Sequence, residues 1–156
     1  MTTPEDEVEQ ATRRFYQALD DLILGKGTEA MSEAWHHDDS VTTVHPFGHW
    51  ARGWKEIAAT WDEIAAIYTF YHGHDDRHDG VGDIHELRVI VLGDVAYTTG
   101  VYRSRLYGLS VDGMNVNCTN VLHKRDGIWK VVHHHADQAR PEVQAALAKM
   151  VESGQQ

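Results

Sequence analysis

Cysteine is nearly missing from this chain: Cys118 is its one representative in 156 residues, so no intrachain disulfide can form. That fits a reducing compartment. Basic residues are also short, with Lys and Arg numbering 14 against 24 Asp and Glu, for a formal charge of −10. An acidic surface repels phosphate backbones, which argues against a nucleic-acid partner. No basic run would seek an anionic membrane, and no apolar run approaches the roughly 20 residues that span a bilayer. The opening MTTPEDEVEQ is acidic and lacks an apolar core, so no signal peptide is expected. There are no repeats, low-complexity stretches or interdomain linkers. A soluble, cytoplasmic protein follows as the expectation.

What is present suits one globular core: 42% of the residues are hydrophobic and 24% charged. The expected layout is a single domain over 1–140, followed by a short amphipathic helix and frayed tail over 141–156. Thr3, Pro4 and Asp6 are a cap, first-turn proline and capping-box acid for a helix in which Val8, Ala11, Phe15, Leu19 and Leu22 recur at helical spacing. Gly25 is a natural stop, and Tyr16 lies on the edge of the same apolar face. A second short helix follows Thr28. Val41 to Val44 is β-branched and predicts a lone strand ended by Pro46. GWKEIAATWDEIAAIY returns to helical period, with Trp54, Ile57, Trp61, Ile64 and Tyr68 on one face. From Thr69 onward the pattern predicts strands. The last two are joined at Asp126-Gly127, a strong hairpin signal. Helices first and strands afterwards argue an α+β fold, with helices covering one face of a curved sheet that can cup a cavity.

Twelve histidines stand out, three of them consecutive in WKVVHHHADQ. Regular alternation from Trp129 places Val131, His133, His135 and Asp137 on one face and Lys130, Val132, His134 and Ala136 on the other. One metal cannot take all three histidines from one strand. His133 and His135 share a face about 7 Å apart, and His72 or His74 in YHGHDD, or His123, would have to supply a third ligand.

Two stretches carry a resemblance. HDDSVTTVHPFGHWARGWKEIAATW is similar to the strand, glycine and helix pattern of the nuclear transport factor 2-like superfamily. NVLHKRDGIWKVVHHHAD resembles the ending of the association (hub) domain of calcium/calmodulin-dependent protein kinase II. The resemblance spans roughly residues 5–138 and includes the SnoaL-like branch. It implies a cone of three N-terminal helices on a strongly curved, mainly antiparallel sheet, and a homodimer or larger oligomer packed through the sheet's outer face.

The resemblance also implies a pocket. Asn120, Ala136 and Tyr102 fall where the hub domain places pocket arginines, so that basic lining is lost. The pocket predicted from strand parity holds Tyr102, Asn120, His134 and Leu122, with Trp50 and Trp61 reaching its mouth and Trp35 and Trp54 in the core. Ketosteroid isomerase shares this fold and has a catalytic aspartate just before a proline. His45-Pro46 is the matching dipeptide here, with histidine in place of the aspartate. Tyr16 lies near that enzyme's tyrosine donor, and Asn120 near its second oxyanion donor.

Three functions are therefore in view. The leading one is a SnoaL-like enzyme without a cofactor. It would act by general acid/base chemistry (isomerisation, dehydration or cyclisation) on a small hydrophobic carbonyl compound, with His45, Tyr16 and Asn120 as catalytic residues. The second is a non-catalytic ligand-binding or assembly domain. The third is a metal-dependent enzyme built on His133 and His135.

Overall fold

The computed structural model describes residues 1–46, 50–72, 82–104, 114–138 and 141–154. The order is α1 (Pro4–Ile23), α2 (Glu29–Ala34), β1 (Thr42–Val44), β2 (Trp50–Arg52), α3 (Gly53–His72), β3 (Asp83–Leu92), β4 (Val95–Ser104), β5 (Met114–Arg125), β6 (Ile128–Gln138) and α4 (Pro141–Gly154). The six strands form one sheet ordered β2-β1-β6-β5-β4-β3. All pairings are antiparallel except β1 with β6, which run parallel and set Thr43 opposite His134. α1 and α3 cover one face of the sheet, with α2 packed against α1, as the α+β cone requires.

Local chemistry explains the first element. Thr3 Oγ1 accepts from the Asp6 amide at 3.1 Å and Asp6 Oδ2 accepts from the Thr3 amide at 3.0 Å, which closes the expected capping box. Val8, Phe15, Tyr16 and Leu22 of α1 are buried against the sheet, together with Met31, Trp35, Ile57 and Trp61. At the β5–β6 turn, Asp126 and Gly127 both have positive φ, 51° and 79°, as the expected two-residue hairpin turn demands.

The structure corrects three sequence-based expectations. The strand at Thr42–Val44 is not alone, because Trp50–Arg52 pairs with it as a hairpin. Three residues are too few to show a period of two. The strands do not begin at Thr69 either: α3 continues to His72, because extending an existing helix by one residue is easier than starting a strand. The rest of the weakly alternating HGHDDRH segment, His74 included, lies outside the described residues.

The third correction concerns the histidine strand. Leu122 pairs with Val131 and Val121 with His133, so Val132 is an extra, unpaired residue. This β-bulge shifts the alternation by one. Trp129 and Val131 therefore face inward together with His134 and Ala136, and not with His133 and His135. A second irregularity, between His85 and Arg88 of β3, includes Glu86 at a φ of 55°. Bulges bend and twist strands, and both contribute to the sheet's curvature. Among the described residues, no helix is long and apolar enough to cross a membrane.

Candidate functional site

Between α1, α3 and the inner face of the sheet lies a cavity of roughly 50 Å³. Its described lining is Leu19 and Ile23 from α1, His45 and Pro46 after β1, and Trp61, Ile64 and Tyr68 from α3. The strands add Tyr102, Val116, Cys118, His134 and Ala136. Among the described residues no Lys, Arg, Asp or Glu touches it.

His134 is 3% exposed and its proton arrangement is fixed. Nδ1 stands 2.5 Å from Asn120 Oδ1, an atom that only accepts, so Nδ1 carries the proton. Burial holds the imidazole pKa well below its ordinary value, helped by the neighbouring His45. The ring is therefore neutral, and its Nε2 presents a lone pair that meets no hydrogen-bond donor among the described residues. Phe15 packs 4.7 Å from the ring, centroid to centroid.

His45 occupies the same wall and is also buried. Thr60 Oγ1 donates to the Ile57 carbonyl at 2.7 Å, so it accepts the proton of His45 Nε2 at 2.8 Å. The His45 ring meets Trp61 edge-on at 4.6 Å. Trp61 in turn stands 6.4 Å from His134 and lies beside both histidines.

Tyr102 forms the opposite wall. Its hydroxyl donates to Asp20 Oδ1 at 2.8 Å, and the Gly82 amide donates to the same oxygen at 3.2 Å. A methyl group at Gly82 would fall 2.2 Å from the Tyr102 hydroxyl, so only glycine fits there. Burial raises the Asp20 carboxyl pKa, partly offset by the two donors, while burial and the adjacent Asp20 push the Tyr102 phenol far up. Asp20 went unrecognised in the sequence. It was visible there as a charged residue four positions after Tyr16, inside the apolar stripe of α1.

The predicted residues separate into groups. His45, Tyr102, Trp61 and His134 converge on the cavity. Tyr16 and Asn120 come together but sit behind its wall. Tyr16 stacks on Tyr102 at 5.6 Å, and burial, with Cys118 close by, raises its phenol pKa well above 10.0. Asn120 is fully buried and its Nδ2 completes no hydrogen bond. Asn120 therefore acts through His134, which it orients. Leu122 is fully buried core. Trp50, expected at the pocket mouth, is instead 62% exposed on the outer face, its ring 6.3 Å from His135. Strand β2 runs along the sheet edge and turns it outward.

His133 and His135 also lie on the outer face, with ring centres 6.3 Å apart. His133 Nδ1 is 2.6 Å from Thr42 Oγ1. His123, the suggested third ligand, is engaged by Asp94 at 3.3 Å and by Arg125 Nε at 2.9 Å. Among the described residues, no group of three His, Cys, Asp or Glu side chains is placed to hold a metal.

A curved sheet closed by three helices around a small, uncharged, two-histidine cavity defines a cone-fold protein of the nuclear transport factor 2-like class. Residues 8–140 match the model of the SnoaL-like domain, and the chain belongs to that family. It is 29% identical over 115 residues to the F-box protein SKIP8 of Arabidopsis thaliana. That match covers 74% of this chain and 44% of SKIP8, so the chain spans less than half of that relative. Among solved structures, it resembles a candidate calcium/calmodulin-dependent protein kinase type II association domain from Thiobacillus denitrificans. The TM-score is 0.65 at 23% identity, covering 90% of this chain and 98% of that one. It also resembles a candidate dehydratase of the NTF2-like family from Streptomyces avermitilis, with a TM-score of 0.64 at 23% identity over 87% of this chain and 96% of that one. These structural likenesses establish the fold.

Proposed function

We propose that this protein is a small-molecule enzyme of the isomerase or dehydratase type, moving protons on a small neutral carbonyl compound held in the cone. One observation carries this reading. Two buried histidines line one uncharged cavity, and one of them is fixed by Asn120 as a neutral base with its Nε2 lone pair unengaged. A neutral imidazole is a competent general base near neutral pH. His134 Nε2 takes the proton from the carbon beside the carbonyl. The neighbouring His45 disfavours the imidazolium form of His134, which keeps the base neutral and able to take a proton and return it. Asn120 is a positioning residue, while Tyr102 and Tyr16 shape the wall. No cofactor is needed for such a step. A cavity of roughly 50 Å³ is far smaller than the ~300 Å³ or more that surrounds a drug-sized ligand, so the substrate has few heavy atoms or enters by displacing the half-buried Leu19, Ile64 and Tyr68.

The test is proton exchange. A panel of small neutral ketones is incubated with the protein in heavy water and followed by proton NMR. Wild type is expected to exchange the α-proton of at least one member, and His134→Gln to lose about 10²-fold or more of that rate. Absence of protein-dependent exchange across the panel defeats the proposal.

A specific feature also favours assembly. Trp50, Leu92, Val95 and Tyr97 lie exposed on the outer sheet face, at 62%, 63%, 38% and 38%. Exposed apolar side chains at both edges of the outer face, Trp50 on β2 and Leu92, Val95 and Tyr97 on β3 and β4, suit a second copy of the chain, in keeping with the homodimer the family resemblance implies. Sedimentation of wild type against Trp50→Ser/Tyr97→Ser tests it, and a monomer at all concentrations removes it.

A further inference from the structure

Hydrogen-bond accounting in the cavity leaves two unmatched groups. Among the described residues, three buried side-chain donors complete no hydrogen bond: Trp35 Nε1, Trp61 Nε1 and Asn120 Nδ2. Of these residues, only Trp61 lines the cavity. Its indole is 3% exposed, so bulk water does not compensate it. A buried donor without a partner costs about 1–3 kcal/mol, and such groups call for an explanation. The second group is His134 Nε2, an acceptor that meets no donor among the described residues, on a ring 6.4 Å from Trp61. Among the described residues, the cavity lining thus includes one residue with an unused N–H and one with an unused lone pair, and no formally charged side chain.

We infer that Trp61 Nε1 is a specificity-determining donor that binds the ligand's carbonyl oxygen, while His134 Nε2 accepts from a hydroxyl on the adjacent carbon. The ligand class is a small, neutral α-hydroxy carbonyl compound. This rests on the proposed acid/base reading and narrows it. In such a molecule the carbon bearing the hydroxyl is the carbon beside the carbonyl. The nitrogen that accepts the O–H in the bound state is then next to the C–H that it deprotonates. The indole N–H meets the oxygen on which negative charge develops, where a preorganised donor is most effective. A ligand with only acceptors leaves Nε2 unmatched. One without a carbonyl loses the oxygen placed to meet the indole.

Three probes of equal size separate these cases: 3-hydroxy-2-butanone, 3-methyl-2-butanone with the hydroxyl replaced by methyl, and 3-methyl-2-butanol with the carbonyl removed. Each is titrated into ¹⁵N-labelled protein, and the five indole N–H signals are followed. The Trp61 signal is assigned from Trp61→Phe, or by through-bond NMR in wild type if that variant does not fold. The hydroxy ketone is expected to bind about tenfold tighter than either analogue, the equivalent of one net hydrogen bond, and to shift the Trp61 signal downfield. Equal affinity of the three, binding without a Trp61 shift, or no binding of any overturns the inference. Tight hydroxy-ketone binding with the Trp61 shift but without proton exchange defeats the catalytic reading and leaves this ligand class standing. Exchange without the preference or the shift does the reverse.

Discussion

The two faces of strand β6 put one residue type to opposite uses. His134 points inward, buried and neutral, with its tautomer set by Asn120. His133 and His135, its chain neighbours, point outward and are only half-buried, near Thr42 and Trp50. Three identical side chains therefore differ in burial, partners and chemical use because a strand alternates. The lesson is that the environment of an imidazole, and not its presence in a run, decides whether it can serve as a base.

The sharpest way to expose that contrast is truncation on either side of the sheet. Phe15 is fully buried against the His134 ring, and Phe15→Ala is expected to cost about 3–5 kcal/mol of unfolding free energy. Leu92→Ala on the outer face, where the side chain is 63% exposed, should stay within about 0.5 kcal/mol in the monomer. Urea unfolding at low protein concentration compares them, and similar costs would mean that the two faces are not inside and outside.

Next comes the buried hydrogen bond. Asn120→Ala leaves His134 Nδ1–H without an acceptor and should cost about 1–3 kcal/mol. It should also free the tautomer, which ¹⁵N chemical shifts of the imidazole report directly. If Nδ1 stays protonated to the same extent in the variant, Asn120 is not the residue that orients His134.

The bulge offers a subtler probe. Deleting Val132 pairs Val131 and His133 with adjacent positions of β5 and leaves Trp129, Val131, His134 and Ala136 all inward. The variant should fold, lose about 0.5–3 kcal/mol like an ordinary single change, and keep the His134 imidazole protected from solvent. Exposure of His134 in that variant would show that the bulge maintains the inward face.

This bulge also marks where the sequence stopped being informative. The capping box at Thr3, the helical faces of α1 and α3 and the Asp126-Gly127 turn are local chemistry, and local chemistry is written in adjacent residues. Alternation grouped residues by face within short stretches, and the family resemblance assigned the face of Tyr102, Asn120 and His134 to the cavity. Alternation cannot reveal one unpaired residue, because a bulge is set by the partner strand, so the faces of Trp129 and Val131 were exchanged. Trp50 was misplaced for a related reason: β2 is too short to show its own pattern. Asp20 joins Gly82 and Tyr102 across 62 and 82 positions of chain, a coincidence that only the folded topology creates. Of the candidate site, the residue types were legible, but the division between lining and support was not.

The smallest expected effect concerns pH, and it contrasts the two faces directly. The folded pKa of His134 lies below the value near 6.5 that its unfolded chain would have, because burial disfavours the imidazolium. Above that value both states hold a neutral ring and the residue contributes no pH dependence. As pH falls below it, the unfolded state gains a proton that the folded state refuses, so stability declines until the folded pKa is reached. His133 shifts in the same direction, through burial and the nearby His135, but it is only half-buried. Asp20 works the other way: its raised pKa means that the stability it lends in acid is lost as pH rises out of the carboxylate range. His36 is likewise lowered by partial burial, so the window just below neutrality reports on all three histidines, with fully buried His134 shifted furthest. His134→Gln should flatten the slope of unfolding free energy against pH there, whatever it does to absolute stability, and His133→Gln should leave most of that slope in place. An undiminished slope in His134→Gln would place the proton-refusing histidine elsewhere, with His36, whose pKa burial also lowers, the next to examine.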